Sequence, residues 1–366
     1  MSNSLKKHIV GKNYFFSDYL IKLTRLILGN KKNNENKILI LSFKLLGDTV
    51  FTIPALKYLV KNSPGKEIII FCFKENKEIY ELAFSDINFE TFPQSDINLD
   101  SPFVKLRVLR KIWKYNPPLI IDFTSGVFIA MTLLLSRSKI NVGFNLPVFE
   151  SIYNCFLLKR DKPHLIDMYI GPVKKYFNQE NLQMDYSFPT TVVHEGTLLI
   201  CPSAGWKAKE WGIKKFFELG IRLKSDYKIK FVLLQDSVNE NFEREFANGK
   251  IEISYTRNIN ELITEIKKAI LVISNDSGPI YIANLLGKPT FTIYGPTNPR
   301  FSLPFGPNHG YIQKQVKCSP EIDKQYCYRD AGRTCPVYDC MNLLTVEEVD
   351  FKLRSFIMKL GLKKQN

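Results

Sequence analysis

Five short loops in this chain carry residues whose types and spacing could do chemistry. The first is Leu46-Gly47-Asp48-Thr49. Gly47 permits a tight turn, and Asp48 stands where a helix begins. It reads either as an N-cap satisfying backbone N–H groups or as a carboxylate that takes a proton as general base. The second is Cys201-Pro202-Ser203-Ala204-Gly205-Trp206-Lys207-Ala208-Lys209. Its small residues, Ser203 and Gly205 among them, let the backbone approach a ligand, and Lys207 and Lys209 add cationic groups. A plain turn with two solvated lysines is the alternative. The third, Gln235–Glu240, places the carboxylate of Glu240 at a helix start. There it could accept from ribose hydroxyls or serve as an ordinary first-turn acid. The fourth, Ser274-Asn275-Asp276-Ser277-Gly278-Pro279-Ile280-Tyr281, runs from a buried strand into a helix. Backbone N–H groups of Ser277 and Gly278 at a helix N-terminus make an anion site that a diphosphate fits, and Pro279 in the first turn has no N–H to leave unpaired. The fifth, Tyr294-Gly295-Pro296-Thr297-Asn298-Pro299, is a turn directly after the last strand of the alternation.

The elements that position these loops alternate in type. KILILSF from Lys37 and EIIIFCF from Glu67 are apolar runs without polar alternation, the pattern of parallel strands covered on both faces. Leu119–Phe123 and Asn141–Phe144 are further strands. Helices are expected over Ile53–Asn62, around Glu75–Phe84 and over Val127–Ser136. Ile166–Phe177 reads as helical with a kink or break at Gly171-Pro172. From Thr197 the alternation restarts: strands TLLIC, KIKFVLLQ, IEISY, LVISND and TFTIYG, with helices Ile213–Leu223, Glu240–Ala247, Ile259–Ala269 and Ile280–Leu286 between them. A last helix spans Val346–Leu360. The fold class is therefore α/β, two doubly wound domains over 37–185 and 195–345 with a linker near 180–195, followed by a helix and tail over 346–366. Ligands of such sheets bind at the carboxyl ends of the strands, and all five loops lie there.

Composition narrows the partners. The 366 residues are 45% hydrophobic and 24% charged, which excludes a disordered or low-complexity chain. Fifty-one Lys+Arg against 36 Asp+Glu give +15, so an anionic partner is expected: nucleic acid, an acidic membrane surface or a phosphorylated substrate. No nucleic-acid-binding motif accompanies the charge. The extension over 1–36 is basic and amphipathic, with Phe15, Phe16, Tyr19, Leu20, Leu23 and Ile27 at helical spacing. It packs on the first domain or lies on an anionic membrane. No apolar run reaches the 18 or more residues of a spanning helix, and the first residues carry no secretory signal pattern, so a cytoplasmic address is expected. Four of the seven cysteines, Cys318, Cys327, Cys335 and Cys340, cluster near the end. Their spacing lacks a tight pair, leaving zinc, a disulfide or free thiols open.

Taken in order, the motifs resemble those of glycosyltransferase family 9, the ADP-heptose:lipopolysaccharide heptosyltransferases, over about Lys37 to Leu360. The matching stretches are Gly47-Asp48 with Thr52-Ile53-Pro54-Ala55-Leu56; Pro202-Ser203-Ala204-Gly205 with Lys209-Glu210-Trp211; Asp276–Pro279 with Gly287-Lys288-Pro289 and Gly295-Pro296-Thr297; and Cys340-Met341. The resemblance implies a GT-B fold of two facing Rossmann-like domains, with a C-terminal helix crossing back onto the first. It implies no cofactor, a nucleotide sugar (ADP-heptose) as donor and a lipopolysaccharide core or lipid A acceptor at the inner membrane surface. By the same resemblance Asp48 is the base and Lys209 the phosphate-binding cation. Gly47, Thr49, Ser203, Gly205, Glu240, Asp276, Ser277, Gly278, Pro279, Tyr281, Gly295 and Thr297 surround the substrates. Two positions depart from the family pattern: Tyr281 stands where a histidine is usual, and Ser42 where the first strand usually ends in a basic residue. These departures keep a second reading in view, a nucleotide-sugar-binding or carbohydrate-assembly protein of the same fold with impaired catalysis.

Overall fold

A computed structural model describes residues 32–98, 102–158, 164–181, 186, 188, 192–234, 240–327 and 334–365. Residues 1–31 of the amphipathic N-terminal extension and half of the expected linker lie outside the described residues. The chain divides into two compact units, Met1–Met184 and Asp185–Asn366.

The first unit holds a six-stranded parallel sheet: β1 (Lys37–Ser42), β2 (Glu67–Phe73), β3 (Asn88–Phe92), β4 (Leu119–Asp122), β5 (Ile140–Asn145) and β6 (Cys155–Leu158), in the order 3-2-1-4-5-6. β1 is central, with Leu39 beside Ile69 on one side and Ile120 on the other. Its neighbours and the helices on both faces bury Ile38 to Leu41, which is why the run has no polar alternation. The helices that frame the sheet are α1 (Leu46–Lys61), α2 (Pro102–Tyr115), α3 (Val127–Leu135) and α4 (Leu165–Tyr176). α1 packs against α4, and α2 against α3.

Two helices differ from expectation. α1 begins at Leu46, seven residues before the predicted Ile53, so Gly47 and Asp48 belong to its first turn rather than to a loop. α4 runs through Gly171-Pro172 without a break. A Cβ on Gly171 would stand 2.7 Å from Leu157 Cδ1, so this glycine lets the helix lie close against β6. Burial of Leu165, Ile166, Met168, Tyr169, Ile170 and Val173 outweighs the hydrogen bond that Pro172 cannot make. β3, β6 and α2 carry no expectation from the sequence.

The second unit repeats the topology with β7 (Thr197–Cys201), β8 (Lys228–Leu234), β9 (Glu252–Thr256), β10 (Ala269–Asn275), β11 (Thr290–Tyr294) and β12 (His309–Gln313), ordered 12-11-10-7-8-9. Counted from β7, this is again 3-2-1-4-5-6. α5 (Ile213–Leu223), α6 (Glu240–Asn248), α7 (Ile259–Lys268) and α8 (Gly278–Leu285) connect the strands within one or two residues of the sequence reading. β12 was not anticipated. The last helix, α9 (Val346–Lys359), starts from a capping box in which Thr345 and Glu348 satisfy each other's backbone N–H groups. Its buried residues, Val346, Val349, Leu353, Phe356 and Ile357, belong to the core of the second unit, beside α5 and β12.

Candidate active site

β10 is buried along its whole length and ends at Asn275. Two polar side chains at this end stitch neighbouring loops together through three hydrogen bonds. Ser274 Oγ donates to Cys201 O at 2.5 Å, and Asn275 Nδ2 donates to Pro202 O at 2.6 Å. Asn275 Oδ1 in turn accepts from the Trp211 backbone N–H at 3.1 Å. The loop after β7 is thereby held against the loop after β10, at the position where the strand order reverses.

Asp276 follows and is 2% exposed. Its carboxylate gathers donors from three segments. Lys209 Nζ reaches Oδ2 at 2.6 Å, Thr297 Oγ1 donates to Oδ2 at 2.6 Å, and the Tyr281 hydroxyl donates to Oδ1. Burial pushes the Asp276 carboxyl up; the charge of Lys209 and the three hydrogen bonds outweigh it and hold the group below the usual carboxylate range. Lys209 comes from the short 3-10 turn Lys207–Lys209 and lies over the Trp206 ring, 4.7 Å from its centroid. An ammonium has three N–H donors, and Asp276 accepts one of them. Beside this pair Ser277 stands at the N-cap position of α8 without a side-chain capping hydrogen bond, and Gly278 and Pro279 are half-buried in the first turn. A cation and a helix N-terminus at one strand end form a place for a diphosphate.

The geometry gives several of the expected substrate-surrounding residues internal partners. Asp276, an enclosed anion, organises Lys209 rather than meeting a phosphate itself. The hydroxyls of Tyr281 and Thr297 are directed at Asp276, and both side chains are buried. Gly295 is a packing position: a Cβ there would stand 2.7 Å from Met341 Cε and 3.2 Å from Ala208 O. Ser203 is half-buried, and Gly205 is exposed with open space where a Cβ would lie, so this loop keeps room for a ligand. Lys207 is exposed and pairs with Glu210 at 3.0 Å. Glu240 opens α6, and its side chain lies outside the described residues. One contributor escaped the sequence reading: Gln313 of β12 donates to Gly295 O at 2.9 Å and Thr297 O at 2.8 Å, fixing the loop that carries Thr297. A lone glutamine gives no signal in a sequence.

In the first unit Asp48 is half-buried in the first turn of α1, and the N-cap is Leu45, not Asp48. Thr49 is buried, and its hydroxyl donates to Leu45 O at 3.1 Å, so it closes the turn. Ser42, in the place of the expected basic residue, hydrogen-bonds the Tyr80 hydroxyl at 2.7 Å. Lys44 is at this strand end as well, with Nζ donating to Thr124 O at 3.2 Å. A second buried acid was missed. Asp122 ends β4 and is 0% exposed; its Oδ1 accepts from the Thr124 and Ser125 N–H groups at 2.7 and 2.9 Å, and its Oδ2 from the Tyr153 hydroxyl at 2.7 Å. Burial pushes its carboxyl up, and here the hydrogen bonds and the charge of Lys44 do not offset it. The available signal was an acid closing a strand that is otherwise fully apolar, LIID.

The four clustered cysteines are thiols that line one small pocket together with Ala208, Gly295 and Pro296. Burial, then the neighbouring thiols, pushes Cys340 up to about 12. Among the described residues no three His, Cys, Asp or Glu side chains are placed to hold a metal ion, so the zinc alternative gains no geometric support.

Comparison with known proteins settles the kinship. The model of glycosyltransferase family 9 (heptosyltransferase) matches residues 129–331, more than half of the chain. The chain belongs to glycosyltransferase family 9. Lipooligosaccharide heptosyltransferase 2 of Haemophilus influenzae is 34% identical over 61 residues, a match that spans 17% of this chain and 17% of that relative's length. A glycosyl transferase family 9 structure from Veillonella parvula superimposes with a TM-score of 0.71 at 17% identity, covering 90% of this chain and 100% of the other. An E. coli heptosyltransferase solved with ADP-2-deoxy-2-fluoro heptose gives 0.65 at 16% identity, over 87% and 99%. These likenesses show the fold, the GT-B architecture built from two Rossmann-like units. For this family 9 chain, the tyrosine in place of the usual histidine has a visible consequence. Position 281 adds a third hydrogen bond to Asp276 from within α8.

Proposed function

We propose that this chain is an inverting, metal-independent transferase that moves a heptose from ADP-heptose to a lipopolysaccharide core acceptor at the cytoplasmic face of an anionic membrane. The observation that carries the reading is the Lys209–Asp276 pair beside the N-terminus of α8. An ammonium fixed by a buried carboxylate cannot swing away, so its charge stays aimed at one place. A leaving diphosphate gains negative charge as its bond to the anomeric carbon breaks. Preorganised positive charge of this kind is the electrostatic contribution that usually dominates catalysis. Family membership and the E. coli relative solved with an ADP-heptose analogue support the choice of donor.

Asp48 takes the proton of the acceptor hydroxyl. The hydroxyl oxygen then attacks the anomeric carbon from the side opposite the diphosphate, and ADP departs with the bonding electrons. Asp48 suits the role because it is half-buried, open to solvent on one side, and placed one turn past the end of β1, where doubly wound sheets bind ligands. The partners of Tyr281 and Ser42 answer the departures from the family pattern: both residues complete internal hydrogen-bond networks, and neither removes Asp48 or Lys209.

The test is a donor screen that follows both transfer and hydrolysis, with ADP-heptose beside UDP-, GDP- and other ADP-sugars. ADP-heptose is expected to be turned over fastest. Turnover of a hexose donor with ADP-heptose inert would overturn the donor assignment while leaving the transferase reading intact.

A further inference from the structure

The two helices on one face of the first sheet have an outward surface that neither the fold nor the proposed transfer explains. α2 carries Lys105, Arg107, Arg110, Lys111 and Lys114, and no acid. Lys111 is paired with Glu90 at 3.0 Å, while Arg107, Arg110 and Lys114 are exposed. The inward side of the same helix buries Val108, Leu109 and Ile112. α3 has the sequence VFIAMTLLL, without one charged residue. A helix that apolar is normally enclosed. This one buries Ile129, Ala130 and Leu133 yet exposes Val127 at 63%, Met131 at 42% and Leu135 at 36%, one turn apart on one stripe.

The helices lie side by side and run in the same direction. Lys105 Nζ is 5.7 Å from the Phe128 ring centroid near their starts, and Trp113 Nε1 donates to Leu135 O at 2.8 Å near their ends. Phe103, 81% exposed, and Leu106, 40% exposed, therefore extend the apolar stripe of α3 at the end where both helices begin. In a βα unit that end faces the carboxyl edge of the sheet, the edge that also holds Asp48.

We propose that the outward face of α2 and α3 is a docking surface for an anionic lipid bilayer. Charge complementarity selects this occupant. Exposed cations beside an apolar stripe match a surface with anionic headgroups above hydrocarbon, and the stripe enters to the depth of the headgroup boundary. The inference rests on the proposed lipid-linked acceptor, because a base at the edge that faces the bilayer meets an acceptor without lifting it from the membrane. It concerns described residues only.

The test is co-sedimentation of the full chain with phosphatidylcholine vesicles and with the same vesicles doped with phosphatidylglycerol. Wild type is expected to prefer the doped vesicles. Each cation near such a surface is worth about fivefold, so Arg107→Gln/Arg110→Gln/Lys114→Gln should bind about 100-fold more weakly. Val127→Gln/Met131→Gln should bind about tenfold more weakly through lost apolar contact. Lys267→Gln/Lys352→Gln/Lys359→Gln, exposed lysines of the second unit, should bind like wild type. Equal losses in the two triple variants, or unchanged binding by the α2 variant, overturns the proposal. Matching thermal melts exclude unfolding as the cause. Transfer from ADP-heptose to a deacylated, water-soluble acceptor separates the two readings. If transfer is absent while vesicle binding follows α2, the donor reading falls and the docking surface stands. Normal transfer with vesicle binding indifferent to α2 overturns the docking surface alone.

Discussion

Asp122 and Asp276 occupy matching places in two sheets of the same strand order. One ends β4 and the other follows β10, the fourth strand of each unit; both are essentially out of solvent. Their charge states are pushed in opposite directions. Asp276 has an ammonium at 2.6 Å and two hydroxyl donors, and its carboxyl lies below the usual range. Asp122 has two backbone N–H donors and a hydroxyl, with Lys44 acting only through space, and burial carries its carboxyl above the usual range. A repeated topology thus supplies a repeated location, and a single ion pair decides whether the acid there holds a cation in place or is a structural hydrogen-bond hub. On the proposed mechanism the first unit's reacting group is the half-exposed Asp48, whereas the second unit's is the lysine that its buried acid positions.

The largest expected effect tests that division of roles. Asp48→Ala should lower turnover by about 10²–10⁴-fold with donor affinity nearly unchanged, measured by steady-state kinetics beside nucleotide calorimetry. Asp122→Asn should leave turnover close to wild type. The opposite pattern would transfer the base to the buried acid and undo the comparison.

Next in size is the removal of the anchoring carboxylate. Asp276→Asn strands the charge of Lys209 in a largely buried setting, and a loss of about 3 kcal/mol is expected in urea unfolding at neutral pH. Because the folded-state pKa of Asp276 is depressed, its stabilisation is present above the unfolded value of about 3.9 and is lost as pH falls through the lower folded value. The variant should lack that component of acid destabilisation. An acid limb identical to wild type would mean the pair contributes nothing.

Lys209→Ala comes third. Loss of a charge-assisted contact to the diphosphate should weaken ADP binding by about 10–100-fold in calorimetry and slow transfer as well. Unchanged affinity would make Lys209 a structural partner of Asp276 and nothing more.

The smallest effect sharpens the other half. Asp122 has a raised folded-state pKa, so its favourable contribution is complete below the unfolded value and is lost as pH rises through the folded one. Asp122→Asn keeps an acceptor for the Thr124 and Ser125 N–H groups and removes the charge. It should cost less than about 1 kcal/mol at neutral pH and flatten that decline, as read from melting temperature against pH. A loss as large as that of Asp276→Asn would show the two acids to be equivalent after all.

The second unit was more legible in the sequence than the first. Its inner strands β7, β8, β10 and β11 are largely apolar runs, and helices such as α5 and α7 alternate buried and exposed residues with clear starts and stops. β3, β6 and β12 are edge strands and partly exposed; β3 and β12 are mixed in composition, and β6 is apolar but only four residues long, so none shows the long apolar run that marked β1, β2 and β10. The start of α1 was hidden because Gly47 and Pro54 both argue against helix locally, and packing against α4 prevails over them.

By itself the sequence determined the two rounds of βα alternation, the loops at the strand ends, and Asp48, Lys209 and Asp276 as the charged groups on them. Those follow from local properties: the period of apolar residues, turn chemistry, and the residue types in each loop. Tertiary structure decided what each group does. Lys209 and Asp276 lie 67 residues apart, and Thr297 a further 21 beyond. Only the pairing of β7 with β10 and of β10 with β11 brings these segments together. The same folding gave Tyr281, Thr297 and Gly295 internal partners and gave Asp122 and Asp276 opposite charge preferences. Ion pairing, burial and pKa depend on distances between segments remote in sequence, and packing sets those distances.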